Sequence, residues 1–302
     1  MTKSATVRHK VQRTKADKIF NFFLYLICGI GTVIVLYPMY FIVIASFSDP
    51  TAVSSGNIGL FPVNPTFRAY RELLGYASIW RGYRNTIIYT VLGTAMMLAV
   101  NIPAAYALSR HDLVGRRVIN LLMIFPMFFS GGLIPTYMIV RDFHLVDNFW
   151  VMIVPFSVVT YYIIVARTFF ESSLPEGIWE AAQIDGCGNL RFFFSFVLPL
   201  SKAIIAVIGL WAAVGIWNQY FNALIYLRSE ELQPLQIILR SILISNQNMA
   251  SMTTGTAAQE AQALAELIKY AVIVVSSAPI MCLYPFVQKY FNQGVMIGAM
   301  KG

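Results

Sequence analysis

Charge is what this chain has least of. Asp, Glu, Lys and Arg make up 12% of its 302 residues, against roughly 25% in soluble domains, which excludes an ordinary water-soluble globule. Histidine is scarce too: His9, His111 and His144 lie on separate segments. Without a His-Glu-x-x-His pairing or a Gly-x-Ser-x-Gly elbow, the sequence offers no zinc-hydrolase or serine-hydrolase set. There is no Walker phosphate loop, so the backbone cradle and lysine that nucleotide phosphates need are missing. Any ATP that powers this protein is hydrolysed by a separate chain, and no cofactor or metal site is expected here. The cysteines, Cys28, Cys187 and Cys282, are too scattered for a disulfide framework or a ligand cluster. Composition breaks, low-complexity tracts and visible repeats are also absent, so residues 1–302 read as a single domain.

What the chain has is apolar length. Hydrophobic residues reach 58% and mean hydropathy is +0.65, gathered in blocks of the roughly 20 residues that a helix needs to cross about 30 Å of hydrocarbon. Six spans are predicted, at 19–47, 86–108, 118–140, 149–170, 203–226 and 270–290. Unpaired backbone groups are not tolerated in lipid, so each should be helical, giving an all-α polytopic membrane protein. The basic amino end (Lys3, Arg8, Lys10, Arg13, Lys15, Lys18) precedes an apolar run too long for a secretory signal and reads as a retained anchor.

Positive residues set the orientation. The amino tail 1–18, the loop carrying Arg110, Arg116 and Arg117, the loop 171–202 and the carboxyl tail 291–302 should face inward, making both termini cytoplasmic. Against this, Arg68, Arg71, Arg81 and Arg84 fall in the first outer loop, and the amino-terminal cluster outweighs them. The net charge of +8 sits at membrane edges rather than on one basic face, which points to anionic lipid and away from nucleic acid.

One loop reads as a soluble helix inside this membrane chain. Glu180-Ala181-Ala182-Gln183-Ile184-Asp185-Gly186 starts with good helix formers and stops at glycine; a second run, Arg191 to Val197, leads to Leu198-Pro199. An amphipathic helix on the bilayer surface would show similar small and acidic residues. The full spacing, Glu-Ala-Ala, three residues, Gly and then Leu-Pro before the fifth span, resembles the coupling loop of ABC importer permeases. The resemblance implies that Glu180, Ala181, Ala182, Asp185, Gly186, Leu198 and Pro199 dock in a cleft of an ATPase subunit. Ala181 and Ala182 would then let the partner approach closely, Glu180 and Asp185 would pair with its basic groups, and a left-handed Gly186 would end the helix.

In the fifth span, Trp217-Asn218-Gln219-Tyr220-Phe221-Asn222 puts three amides in an apolar helix, with Asn218 and Asn222 on one face. They are either interhelical glue or the lining of a watery path. Trp211 and the Tyr161-Tyr162 pair add rings with polar edges, and Asn101 beside Pro103 is a weaker cavity candidate; the prolines read mostly as packing kinks. The Trp217-Asn218-x-Tyr220-x-x-Ala223 segment is similar to the matching span of maltose-type sugar permeases, which implies that Trp217, Asn218, Gln219, Tyr220 and Asn222 line the substrate path. The ending, Gln288-Lys289-Tyr290-Phe291 and Gly294-Val295-x-x-Gly298-Ala299-x-Lys301-Gly302, also resembles that group, whose tail reaches the ATPase. The outer loop 228–269 reads on its own as a flexible connector; the resemblance implies that it reaches a sugar-binding protein.

Together these resemblances imply a type I ABC importer permease fold in the cell membrane. They also imply a second permease subunit, two ATPase subunits that hold ATP and magnesium, an extracellular or periplasmic sugar-binding protein and an oligosaccharide substrate. Two rivals stand: an amino-acid or peptide importer, where Glu-Ala-Ala loops also occur, and a membrane enzyme, which the near absence of ionisable groups in the spans disfavours.

Overall fold

The computed structural model describes the backbone of residues 14–252 and 256–299, with side chains over that range except at 176, 256, 283–284 and 286–299. Among the described residues every regular element is a helix. The first, α1 (Lys15–Ser46), starts at a capping box in which Thr14 Oγ1 accepts from Asp17 N and Asp17 Oδ2 accepts from Thr14 N. Its side chains from Phe22 to Tyr40 are exposed and apolar on all sides, the pattern of a helix solvated by lipid. Two short helices follow, α2 (Pro50–Ser54) and α3 (Arg68–Gly75). The Phe47 ring stacks on Tyr70 at 4.9 Å and closes this corner.

The spine is α4 (Ala77–Ser109). At Gly93 an added Cβ would lie 2.8 Å from Ile216 Cδ1, so the fifth apolar segment approaches the α4 backbone itself. Beyond it come α5 (Arg116–Phe128) and α6 (Leu133–Asp142), bent 116° from each other. The expected straight crossing at 118–140 is therefore broken, because Ser130-Gly131-Gly132 lies between the two helices and Gly132 takes φ +85°.

The block expected at 149–170 is not one helix either. A single 3-10 turn, Phe149–Met152, is followed by non-helical chain and then α7 (Thr160–Ser173). The non-helical part survives inside the bundle because Asn101, fully buried on α4, takes the place of a helical neighbour. Its Oδ1 accepts from Val159 N at 2.8 Å and its Nδ2 donates to Ser157 O at 2.7 Å.

Then come α8 (Glu176–Ile184), α9 (Asn189–Phe192), a π turn at Phe193–Val197 and α10 (Leu198–Leu200). An 80° bend at Ser201 leads into α11 (Lys202–Trp217), and a short break separates α11 from α12 (Phe221–Tyr226). The segment expected to be an outer loop is mostly helix: α13 (Leu235–Met252) and the first turns of α14 (Thr256–Ala299). Leu235, Ile238, Leu239 and Ile242 form one apolar stripe, and they are buried against Leu267, Ile268 and Ala271 of α14.

Inside α14, Pro279 has no N–H to give Val275 O. Tyr83 Oη of α4 donates to that carbonyl at 2.6 Å, and Trp217 Nε1 of α11 donates to the next one, Ser276 O, at 2.9 Å. Three described helices are long and apolar enough to cross a membrane, and five are if each bent pair counts as one span. Of the basic amino end, Lys15 and Lys18 lie among the described residues. Thr253, Thr254, Gly255 and the last three residues lie outside them, as do the side chains of the tail expected to meet the ATPase.

Candidate functional site

The loop singled out by its Glu-Ala-Ala pattern folds as α8, closed by a Schellman arrangement. Gly186 takes φ +72°, its N–H bonds Gln183 O at 3.0 Å, and Cys187 N bonds Ala182 O at 2.9 Å. The left-handed glycine expected from the sequence is present. The two alanines, however, part company: Ala181 is exposed, while Ala182 is 6% exposed and packs in an apolar cluster with Phe170, Phe192 and Phe193. The small side chain at Ala182 thus serves the chain's own core, a correction to the expectation that both alanines face outward. Glu180 and Asp185 are exposed, and neither has an ion-pair partner among the described residues. Beside them Ile184 and Leu190 stand 87% and 76% exposed, an apolar tip that the motif does not announce.

This tip is held to the membrane helices at several points. The Arg110 guanidinium, at the end of α4, lies 4.3 Å over the Trp179 ring of α8. Arg110 also grips Asp112 through two bonds of 3.0 and 2.9 Å, which hold the Asp112 carboxyl below its ordinary range. A groove of about 440 Å³ runs between α8 and the ends of α4 and α7, lined by Tyr106, Arg110, Glu171, Trp179 and Glu180 among others. Phe192 packs edge-on to Trp179 at 4.8 Å. Half-buried Leu198 packs on the same cluster, and exposed Pro199 sits two residues before the buried Ser201 corner.

At the opposite end the candidate path residues separate. Trp217 is 3% exposed and sits in the core against α14. The helix stops there: Asn218 N and Nδ2 both return to Val214 O. Asn218 and Asn222 therefore do not share a face of one helix, because the backbone breaks between them. Asn218 and Tyr220 are exposed; Gln219 and Asn222 are half-buried. Exposed Arg240 of α13 places its guanidinium 5.8 Å from the Tyr220 ring. Elsewhere Trp211 of α11 lies 5.7 Å from Tyr161 and 6.0 Å from Tyr162, bringing a third ring onto that pair.

Sequence reasoning missed the ties that set α13 in place. Asn85 Nδ2 donates to Glu231 O at 2.6 Å, Tyr89 Oη donates to Leu232 O at 2.8 Å, and Leu235 N donates to Thr86 Oγ1 at 2.8 Å. Their only trace in the sequence is polar residues in the first turns of an apolar block. Asp147 was missed as well. Its carboxylate accepts from Arg228 N, Ser229 N and Ser229 Oγ at 2.9, 2.8 and 2.6 Å, and these bonds, the Ser229 hydroxyl foremost, hold its pKa below the ordinary value.

Residues 101–297 match the family described as binding-protein-dependent transport system inner membrane component. The chain is similar to Protein LplC of Bacillus subtilis (strain 168), 37% identical over 294 residues, covering 97% of this chain and 99% of that one. It is 36% identical over 290 residues to the polygalacturonan/rhamnogalacturonan transport system permease protein YtcP of the same organism, covering 95% and 99%. Among solved structures it is similar to a chain from the crystal structure of a bacterial ABC transporter involved in the import of the acidic polysaccharide alginate. That match has 35% identity and a TM-score of 0.81, over 92% of this chain and 99% of that one.

Proposed function

From the premise that the chain belongs to the binding-protein-dependent transport system inner membrane component family, we infer that it is the membrane-spanning subunit of an ATP-driven oligosaccharide importer. It is not itself an enzyme; it forms half of a translocation path beside a second permease subunit. Two ATPase subunits hold ATP and magnesium, and a binding protein outside delivers the sugar. Both termini and α8 face the cytoplasm, α13 faces outward, and α7 with the Asn101-clamped chain before it makes the sixth crossing.

One observation carries the coupling reading: α8 presents Glu180, Ala181, Ile184 and Asp185 outward, while Trp179 and Ala182 fasten it to the ends of α4, α7 and α9. A knob so fixed moves as one body with the helices behind it, so ATPase closure is passed to the path. The test is Gly186→Val, which forces a side chain into φ +72° and disrupts the cap. Membrane insertion should persist while co-purification of the ATPase subunit falls; unchanged co-purification and transport would sink the assignment.

For the sugar, the reading we favour is an oligosaccharide bearing carboxylates. The solvent-facing Arg240 guanidinium beside the Tyr220 ring suits an acidic ring stacked on the tyrosine, and two similar proteins are named for alginate and polygalacturonan. Arg240→Gln should lower uptake of acidic oligosaccharides more than neutral ones; equal losses would reject the charge reading.

A further inference from the structure

A second cavity, of about 540 Å³, opens where α5 begins, lined by His111, Arg116, Arg117, Asn120 and Arg167 with Val118 at its edge. Arg116 and Arg167 both turn to one carboxylate oxygen, Glu171 Oε1, the latter at 3.0 Å. Arg117 has no ion-pair partner among the described residues. Arg116, Arg117 and Arg167 thus line a cavity beside a single carboxylate, and two positive charges are left uncompensated. Arg116 is fixed further, donating through Nε to Leu108 O at 2.8 Å and meeting His111 Nδ1 at 3.0 Å. Gly115 precedes α5 in a left-handed conformation, and no side chain caps the helix.

Directly beyond the cavity, α5 is apolar and open: Val118, Leu121, Leu122 and Phe125 are 61%, 69%, 66% and 56% exposed. From Val118 to Phe128 a helix rises roughly 15 Å, about half of the roughly 30 Å hydrocarbon core, the depth of one leaflet. A cationic pocket continuous with one leaflet's length of apolar surface matches an amphiphile with an anionic head. We propose that this cavity binds the headgroup of an anionic phospholipid, with its phosphate between Arg117 and Arg167 and its acyl chains along α5. The site lies beside Arg110 and Glu171 of the coupling groove, so lipid charge sets the position of the helix ends that α8 grips.

The proposal rests on the importer reading only in naming the complex to be purified. The assembled importer is placed in nanodiscs of phosphatidylcholine with or without phosphatidylglycerol, and the lipid retained after extraction into detergent is measured by mass spectrometry. The wild type should retain phosphatidylglycerol over phosphatidylcholine. Arg117→Gln should cut that preference roughly fivefold, and Arg117→Gln with Arg167→Gln by roughly the square of that, following the usual weight of one basic residue at an anionic surface. Arg117 is exposed and has no ion-pair partner to lose, so folding should survive its replacement. No preference in the wild type, an unchanged preference in the variants, or equal displacement by inorganic phosphate would overturn the proposal. Loss of the ATPase subunit from Arg117→Gln in pure phosphatidylcholine would instead assign the pocket to a protein partner. Unchanged ATPase co-purification and transport in Gly186→Val, with the lipid preference intact, would reject the α8 reading alone.

Discussion

Replacing Asn101 by Leu keeps the branched shape and heavy-atom count of the side chain and removes the amide that holds the non-helical chain before α7. Two backbone groups lose their partner, the half-buried Val159 N–H and the buried Ser157 C=O, at 2.8 and 2.7 Å in the native protein. An unsatisfied buried group costs about 1–3 kcal/mol, and Asn101 is 0% exposed, so water cannot repair either one cheaply. The apolar side chain returns part of the loss, leaving an expected destabilisation of about 3–4 kcal/mol. At roughly 2–4 °C per kcal/mol for large chains, the assembled complex should melt roughly 6–16 °C lower, and its yield from membranes should fall. Asn218→Leu is the control: its exposed amide makes one local bond to Val214 O, and its removal should shift melting by less than about 2 °C. A shift below about 2 °C for Asn101→Leu would refute the clamp. Lost transport at an unchanged melting temperature would place Asn101 in the path instead.

At Gly82 an added Cβ would stand 3.0 Å from the Leu235 backbone and 2.7 Å from Ile238 Cδ1, so Gly82→Ala should loosen α13 and speed hydrogen exchange in 235–243; unchanged exchange would contradict the close approach. The lowered pKa of Asp147 means that its grip on Arg228 and Ser229 is complete above the ordinary carboxylate pKa and is lost as pH falls through the lower folded value. Protection of these two amides, relative to their intrinsic exchange rates, should stay constant from neutral pH to about 5 and fall only below the ordinary carboxylate value, whereas Asp147→Ala should lower it already at neutral pH. Single cysteines at Ser245 or Ser251, in a chain lacking the native three, should react with an impermeant thiol reagent from outside the cell and be shielded by the binding protein; reaction only in opened cells would reverse the proposed orientation.

Apolar blocks placed α1, α4, α11 and α14 because hydrophobic length alone determines whether a helix can sit in lipid. They did not reveal the bend at Gly131-Gly132 or the opened chain before α7. Run length carries no information on backbone direction, and the amide that makes the opening tolerable lies 56 residues before the Ser157 carbonyl that it satisfies. The stripe on α13 was hidden by the polar Ser245-Asn246-Gln247-Asn248 that follows it. At the site, the turn at Gly186 was legible because it is local, encoded within one helix end. Which alanine faces outward was not, because that depends on Phe170, Phe192 and Phe193 arriving from other segments. Asn218 and Asn222 were read onto one face by assuming a helix that stops at Trp217.

The two side-chain bonds made to α14 around Pro279 act as a mechanical detent. One comes from Tyr83 on α4 and the other from Trp217 on α11, and they grip adjacent carbonyls at 2.6 and 2.9 Å. Hydrogen bonds weaken steeply over a few tenths of an ångström beyond their optimum, whereas the apolar contacts around them tolerate sliding. A displacement of α14 along its axis by about 1 Å therefore leaves most of the packing but forfeits both bonds, and Val275 O is left without its covering donor. The two catches stand on adjacent carbonyls, so any axial shift of α14 against Tyr83 and Trp217 would have to release them together.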